Sequence, residues 1–306
     1  MQKSLKKRLK ANWQCYVFLI LPLAYLFIFK YYPMLGIQIA FKKFSLRLGI
    51  WGSPWVGLKH FIKFFDSAMF ERTVVNTLRL SFYSILAGFP FPILFALALN
   101  SIRSNGARKF IQTVTYIPHF ISTVVMVGMI MQVFHNTVGL YGALGRLFSG
   151  TKPPDLFASA DAFVHMYVWS GVWKTFGWSS ILYIACLGNV NGELMEAAEI
   201  DGANRLQRVW HVEIPALLPT IIIQLILRMG SVMSIGFEKA FLMQNDLNLR
   251  ASEVISTYVY KQSLGATTKA DYSYSAAIDL FNSFINLFFI VTVNHISRKV
   301  SDTSLW

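Results

Sequence analysis

Charge is scarce in this 306-residue chain: Lys, Arg, Asp and Glu make up 14% of it, against about 25% in soluble globular proteins. With 55% apolar residues and a mean hydropathy of +0.47, the shortage excludes an ordinary soluble fold, and it excludes a disordered chain as well. Cysteine is nearly absent. Cys15 and Cys186 both fall in apolar runs, which leaves no disulfide framework and no thiolate metal site. His119, His135 and His165 have no companion acids at ligand spacing, so they define no metal site either. Acids are the rarer charge, 15 against 28 basic residues, for a net charge of +13. Basic and aromatic residues interleave in no hydrophilic module, so the excess does not suggest nucleic acid. It suits anionic lipid and the basic flanks of membrane spans. An integral membrane protein is what these absences leave.

Six apolar stretches are long enough to cross a bilayer: 13–32, 74–99, 114–134, 162–187, 217–235 and 276–296. Pro22, Pro90, Pro92 and Pro118 fall inside them and are expected to kink rather than end the helices. The first stretch follows a basic segment but is too long for a signal peptide and lacks a small-residue cleavage site, so it is read as an uncleaved span. Lys3, Lys6, Lys7, Arg8 and Lys10 crowd before it, and Lys and Arg are denser on the side of the two termini, which puts both termini in the cytoplasm. The external residues 34–73 are aromatic. Leu58, Phe61, Ile62, Phe65, Ala68 and Met69 form one stripe there, opposite Lys59, Lys63 and Asp66. The pattern predicts a short amphipathic helix that lies in the headgroup region or caps the protein's own core.

The loop between the fourth and fifth spans, residues 188–215, is exceptional. It gathers five of the 15 acids, Glu193, Glu196, Glu199, Asp201 and Glu213, together with Arg205 and Arg208. Strong helix formers lead to a break at Asp201-Gly202, where Asp201 is placed to cap a second helix running from Ala203 until Pro215 stops it. Ile200, Ala203, Leu206 and Val209 would form one apolar stripe. Two readings fit: a helix pair that docks onto another protein, or a connector packed on its own bundle.

The run E-A-A-x3-G-x9-V-x-I-P, from Glu196 to Pro215, resembles the EAA loop of ABC importer permeases of the binding-protein-dependent type. Trp55-Val-Gly-Leu-Lys-His-Phe61, continuing to Asn76-Thr-Leu, is similar to a segment of the sugar importer permeases. Phe41-Lys-Lys-Phe with Gly49-Ile-Trp-Gly-Ser-Pro-Trp55 looks like the branch that handles complex oligosaccharides. The resemblance implies an all-α type I permease with six transmembrane helices in the bacterial cytoplasmic membrane. It implies a second, related permease subunit, two ABC ATPase subunits that hold ATP and Mg, and an extracytoplasmic solute-binding protein. It also assigns ATPase coupling to Glu196, Ala197, Ala198, Ile200, Asp201, Gly202, Ala203 and Arg205. The chain contains no G-x4-G-K-[ST] loop, so it carries no phosphate cradle of that kind itself and is expected not to be an enzyme. Residues 1–73 are expected to add a basic segment, the first span and the external loop to a five-helix permease core at 74–306.

Polar residues inside spans are costly and face a bundle interior or a water-filled path. Three sets have helical spacing: Trp169, Trp173, Lys174, Thr175 and Trp178 in span four; Gln224, Arg228 and Ser231 in span five; and Asp279, Asn282 and Asn286 in span six. Aromatic faces suit pyranose surfaces, and amide and guanidinium donors suit hydroxyls or carboxylates. Together with the resemblance this makes Trp173, Thr175, Trp178, Gln224, Arg228 and Ser231 candidates for a substrate pathway, Arg228 foremost. The bland reading is interhelical glue, with Arg228 paired to Asp279. Span six is assigned to glue. A permease for another small solute is the alternative function. A channel or an intramembrane enzyme would need a polar filter or an acid–base set, and neither is present in the pattern.

Overall fold

A computed structural model describes residues 11–265, 270–300 and 304–305 of the chain. The basic residues Lys3 to Lys10 lie outside them. Helices dominate, and the described residues contain no strand beyond one isolated bridge between Lys42 and Trp55. In chain order the helices are α1 (Trp13–Phe41), α2 (Lys59–Phe65), α3 (Ala68–Asn100), α4 (Asn105–Phe120), α5 (Thr123–Val133) and α6 (Leu140–Ser149). There follow α7 (Ala160–Gly188), α8 (Gly192–Ile200), α9 (Arg205–Met229), α10 (Phe237–Met243), α11 (Ile255–Gln262) and α12 (Tyr272–Val300).

Four helices, α1, α3, α9 and α12, are long and apolar enough to cross a membrane unbroken. The expected third span is not straight. It is the pair α4 and α5, bent by 100°. Pro118 removes a donor just before the bend, and the Ser122 hydroxyl accepts from Val125 N at 3.2 Å to start a new helix. The expected fourth span is α7, whose 29 residues extend about 43 Å, long enough for a hydrocarbon core of ~30 Å, though it is less apolar than the four. Its Trp-Ser-Gly-Val-Trp-Lys stretch dilutes its apolarity, and its position explains why that is tolerated. It is the central helix, packed on both halves of α3 and on α4, α9 and α10. Phe163, Val164, Val168 and Val172 bury one side of it with Leu80, Met126 and Val127. At the other end, Tyr183 and Leu187 meet Ala96, Leu97 and Leu217.

Two further expectations are corrected. The amphipathic segment is two elements, because α2 ends at Phe65 and α3 begins at Ala68. The buried side chain of α2 is Phe64, 1% exposed, whereas Leu58, Ile62 and Phe65 are exposed. Phe64 sits at the centre of an aromatic cluster with Phe70, Tyr258, Tyr274 and Phe281, at centroid distances of 5.1–6.5 Å. The helix therefore caps the protein's own core. The fifth span also stops earlier than expected, at Met229, and residues 230–236 turn back without helix. Asn286 of α12 holds that turn, accepting from Met233 N at 2.8 Å and donating to Ser234 Oγ at 2.9 Å. Asn286 thus takes the glue role expected for span six, whereas Asn282 Oδ1 is buried without a hydrogen-bond partner among the described residues.

Candidate functional site

The loop at 188–215 projects from the bundle as two short helical segments at an angle set by Gly202. Its φ of +78° lies in the left-handed region that a side chain disfavours. The cap of the second helix is Asn204 rather than Asp201. Asn204 Oδ1 accepts from Gln207 N at 3.0 Å while Gln207 Oε1 accepts from Asn204 N at 2.7 Å, a reciprocal capping box. The helix accordingly starts at Arg205, not Ala203.

Pro215 does not end this helix. Residues Val209–Glu213 widen into one π turn, and the rod continues through Pro215 to Met229. A wider turn accommodates a proline that has no N–H to donate and needs room for its ring. The second loop helix and the fifth span are thus a single body. Glu213, 5% exposed, accepts from Asn100 Nδ2 at 2.9 Å and ties the π turn to the end of α3. An ion pair between Arg208 and Glu199 joins α8 to α9.

The expected apolar stripe is split. Val209 packs on the Leu187–Leu217 cluster, but Ile200 is 87% and Leu206 70% exposed, with Leu194 and Trp210 also open to solvent. Glu196 and Ala197 are exposed on α8, Ala198 is half-buried, and Asp201 and Arg205 are exposed around the turn. Glu196 makes no ion pair among the described residues. An exposed apolar patch of this kind, rimmed by charge, is a surface made for contact.

A second site lies beside the middle of α3 and α7, where α9 ends. Ser81 and Ser84 of α3, Tyr167 and Thr175 of α7, Arg228 of α9 and Ser231, Ser234 and Gly236 of the turn enclose a cavity of about 470 Å³. Of the six candidates from the sequence, the fold brings Thr175, Arg228 and Ser231 together here. Trp173 lies instead in an apolar groove with Ile130, Phe134, His165, Met166 and Trp169. Trp178 stacks face to face on His119 at 4.5 Å, and Gln224 is a turn further along α9, outside the cavity lining. Arg228 does not pair with Asp279. It rests 5.5 Å over the Phe89 ring, and Asp279 borders a groove with Met34, Gly36 and Ile37 of α1.

Ser81, Ser84, Tyr167 and Ser234 were not singled out from the sequence. The signal for the first two was a polar stripe on α3: Thr73, Asn76, Thr77 and Ser81 are all buried. Asn76 Nδ2 donates to the carbonyls of Arg250 and Glu253 at 2.9 and 3.0 Å, and Thr77 Oγ1 accepts from Ile255 N at 3.0 Å. The stripe anchors the loop before α11 and continues into the cavity wall.

The resemblance seen in the loop extends over the whole chain. Protein LplB of Bacillus subtilis (strain 168) is 40% identical over 298 residues, covering 97% of this chain and 92% of that protein. The polygalacturonan/rhamnogalacturonan transport system permease protein YteP of the same organism is 38% identical, covering 100% of this chain and 95% of that protein. A chain in the crystal structure of a bacterial alginate ABC transporter in complex with an alginate pentasaccharide-bound periplasmic protein superposes with a TM-score of 0.89. It is 34% identical and matches 99% of this chain and 100% of that one. Residues 88–302 match the family described as binding-protein-dependent transport system inner membrane component. With its several membrane-length apolar helices and its match to this family over residues 88–302, the chain is a multi-pass permease subunit and belongs to the family of binding-protein-dependent transport system inner membrane components.

Proposed function

We propose that the chain is one of two related permease subunits in an ABC importer of oligosaccharides or polysaccharide fragments. A solute-binding protein delivers the sugar outside, and two ATPase subunits, which hold ATP and Mg, drive the cycle inside. The names of YteP and of the alginate transporter support the substrate class. The observation that carries the mechanism is the continuity of the loop helix with the fifth span, from Arg205 to Met229. At one end of this rod stands the exposed patch of Ile200, Leu206 and Trp210, and at the other Arg228 faces the hydroxyl-lined cavity.

Coupling then follows from rigid-body mechanics. The ATPase takes Ile200 and Leu206 into an apolar groove, with Ala197, Ala198 and Ala203 small enough to allow close approach. Glu196, Asp201 and Arg205 supply charge to the rim. When the ATPases close, the displacement of α8 passes through the Glu199–Arg208 pair to α9 and moves Arg228 and Ser231 against α3 and α7. Alternating access at the cavity is the result. Residues 1–73 contribute an added span and an outer cap to the core at 74–306.

The test is purification of the complete complex and measurement of ATP-driven uptake. Gly202→Val forces a β-branched residue into left-handed backbone at a cost of about 1–2 kcal/mol or more. With Gly202→Val or Glu196→Lys, ATPase co-purification and uptake are expected to fall at least about tenfold while membrane insertion is unchanged. Uptake and ATPase recovery at wild-type level in both variants would refute the coupling role.

A further inference from the structure

The cavity has an uncompensated charge. Arg228 makes no ion pair and no side-chain hydrogen bond among the described residues; it lies 5.5 Å over the Phe89 ring and within electrostatic reach of the neutral Tyr183 phenol. Two lysines stand close by, Lys174 on α7 and Lys239 on α10, and neither makes an ion pair among the described residues. Lys174 Nζ donates to Thr123 Oγ1 at 3.3 Å. Lys239 Nζ donates to the Tyr167 carbonyl and lies 4.4 Å over the Tyr167 ring, the same ring that helps line the cavity. Gly171 makes the room for it, since a Cβ there would stand 3.1 Å from Lys239 Nζ. No acid pairs with these groups among the described residues: Asp161 lies 3.8 Å from Arg79, and Asp279 faces the α1 groove. A guanidinium within a span is retained at considerable cost, and when no protein acid neutralises it the counter-charge must come from outside the chain.

The chemistry around it narrows the source. Ser81, Ser84, Thr175, Ser231, Ser234 and Tyr167 line the same cavity as Arg228, with Ile85, Val232 and Ile235 between them. The hydroxyls suit those of a pyranose ring, whereas the planar guanidinium fork suits a carboxylate. About 470 Å³ is room for one or two sugar units, within the usual size of small-molecule sites. We propose that this cavity selects acidic oligosaccharides, with the Arg228 guanidinium taking the C6 carboxylate of a uronate unit while the cavity's hydroxyls bind the ring. Lys174, on the neighbouring face of α7, biases the approach toward anions without touching the carboxylate. This rests on the oligosaccharide reading and makes it specific.

The test uses the complete transporter in nanodiscs, without its binding protein, so that delivery imposes no selection of its own. Trigalacturonate and trimannuronate are titrated calorimetrically beside their neutral methyl esters. Wild type is expected to bind at least one of the acids about tenfold more tightly than its ester, the yield of a charge-assisted pair. Arg228→Gln is expected to abolish that preference while leaving the ester's affinity in place, and Arg228→Lys to keep part of it. Equal binding of acid and ester by wild type, or an undiminished preference in Arg228→Gln, overturns the proposal and leaves the oligosaccharide reading standing. Binding of no acid and no ester overturns both. Loss of the permease pair in both Arg228 variants would assign the guanidinium to a carboxylate of the partner subunit and also overturn it.

Discussion

Gly177 decides how closely α7 meets α4. A Cβ at this position would fall well inside contact distance of the Thr115 carbonyl, a backbone atom held by the helix and unable to swing aside. Thr115 Oγ1 is itself occupied, donating to the Ile111 carbonyl at 2.8 Å. Gly128 of α5 is a useful contrast, because a Cβ there meets nothing within 4 Å. Overpacking of a tight contact costs about 1–3 kcal/mol, and a backbone obstacle puts Gly177→Ala at the upper end. Gly128→Ala should be neutral or slightly stabilising, since alanine favours helix over glycine by about 0.5–1 kcal/mol. Thermal unfolding of the two purified variants in one detergent checks the contrast. A Gly177→Ala protein as stable as wild type would mean that the two helices separate freely.

Among the elements, those with a strong period were legible and those set by a tertiary contact were not. The apolar lengths of α1, α3 and α12 and the helix–break–helix form of the 188–215 loop follow from composition, and the structure contains all four. Pro118 announced a kink between α4 and α5, but not a turn of 100° with a new helix start, because Phe120–Ile130 reads as one apolar run whatever direction the chain takes within it. Pro215 misled for a related reason. Proline ends a helix unless a π turn makes room, and that turn depends on Glu213 being held by Asn100 from a distant helix. On α2 the period identified a helix but chose the wrong face, since burial of Phe64 depends on Tyr258, Tyr274 and Phe281, some 200 residues away. In the cavity, Arg228 was conspicuous as a charge in a span, whereas serines look the same on a lipid face and on a lining. A pH dependence belongs at this scale. Asp271 Oδ1 accepts from Tyr274 N at 3.0 Å at the start of α12, and its Oδ2 accepts from Lys63 Nζ of α2 at 2.9 Å. Burial alone pushes the Asp271 carboxyl up, but the Lys63 and Tyr274 hydrogen bonds and the charges of Lys63 and His60 outweigh it, so it lies below its ordinary value. A lowered carboxylate pKa stabilises the fold above the unfolded value, about 3.9, and that contribution is lost as pH falls through the folded value. The stability gap between wild type and Asp271→Asn should hold from pH 8 to about 5 and close below about 4, at no more than about 1 kcal/mol for so exposed a pair. Unfolding midpoints across that range measure it, and a gap that widens in acid would reverse the sign.

For the molecule as a whole, the direction of insertion links the two sites to opposite compartments. The α9 rod carries the exposed loop patch at its start and Arg228 at its end, so one topology decides which solvent each meets. Basic residues concentrate beside the termini, at Lys3 to Lys10 and again at Arg298 and Lys299, and positive flanks stay in the cytoplasm. On the six-span topology we propose, with both termini in the cytoplasm, the 188–215 loop returns to the same side, where ATP is available, and α6 lies outside. Both faces offer a side chain suited to chemical labelling: Phe148 of α6 is 83% exposed and Ile200 of α8 87%. In a background with Cys15→Ser and Cys186→Ala, Phe148→Cys should react with a membrane-impermeant maleimide in intact cells. Ile200→Cys should react only after permeabilisation, and co-expressed ATPase subunits should then shield it, because the same apolar patch is the docking surface we propose. Labelling of Ile200→Cys in intact cells would place the loop outside and remove the route by which ATPase closure reaches the cavity. Labelling after permeabilisation that the ATPases leave unchanged would keep the topology and move the docking contact to another part of the cytoplasmic face.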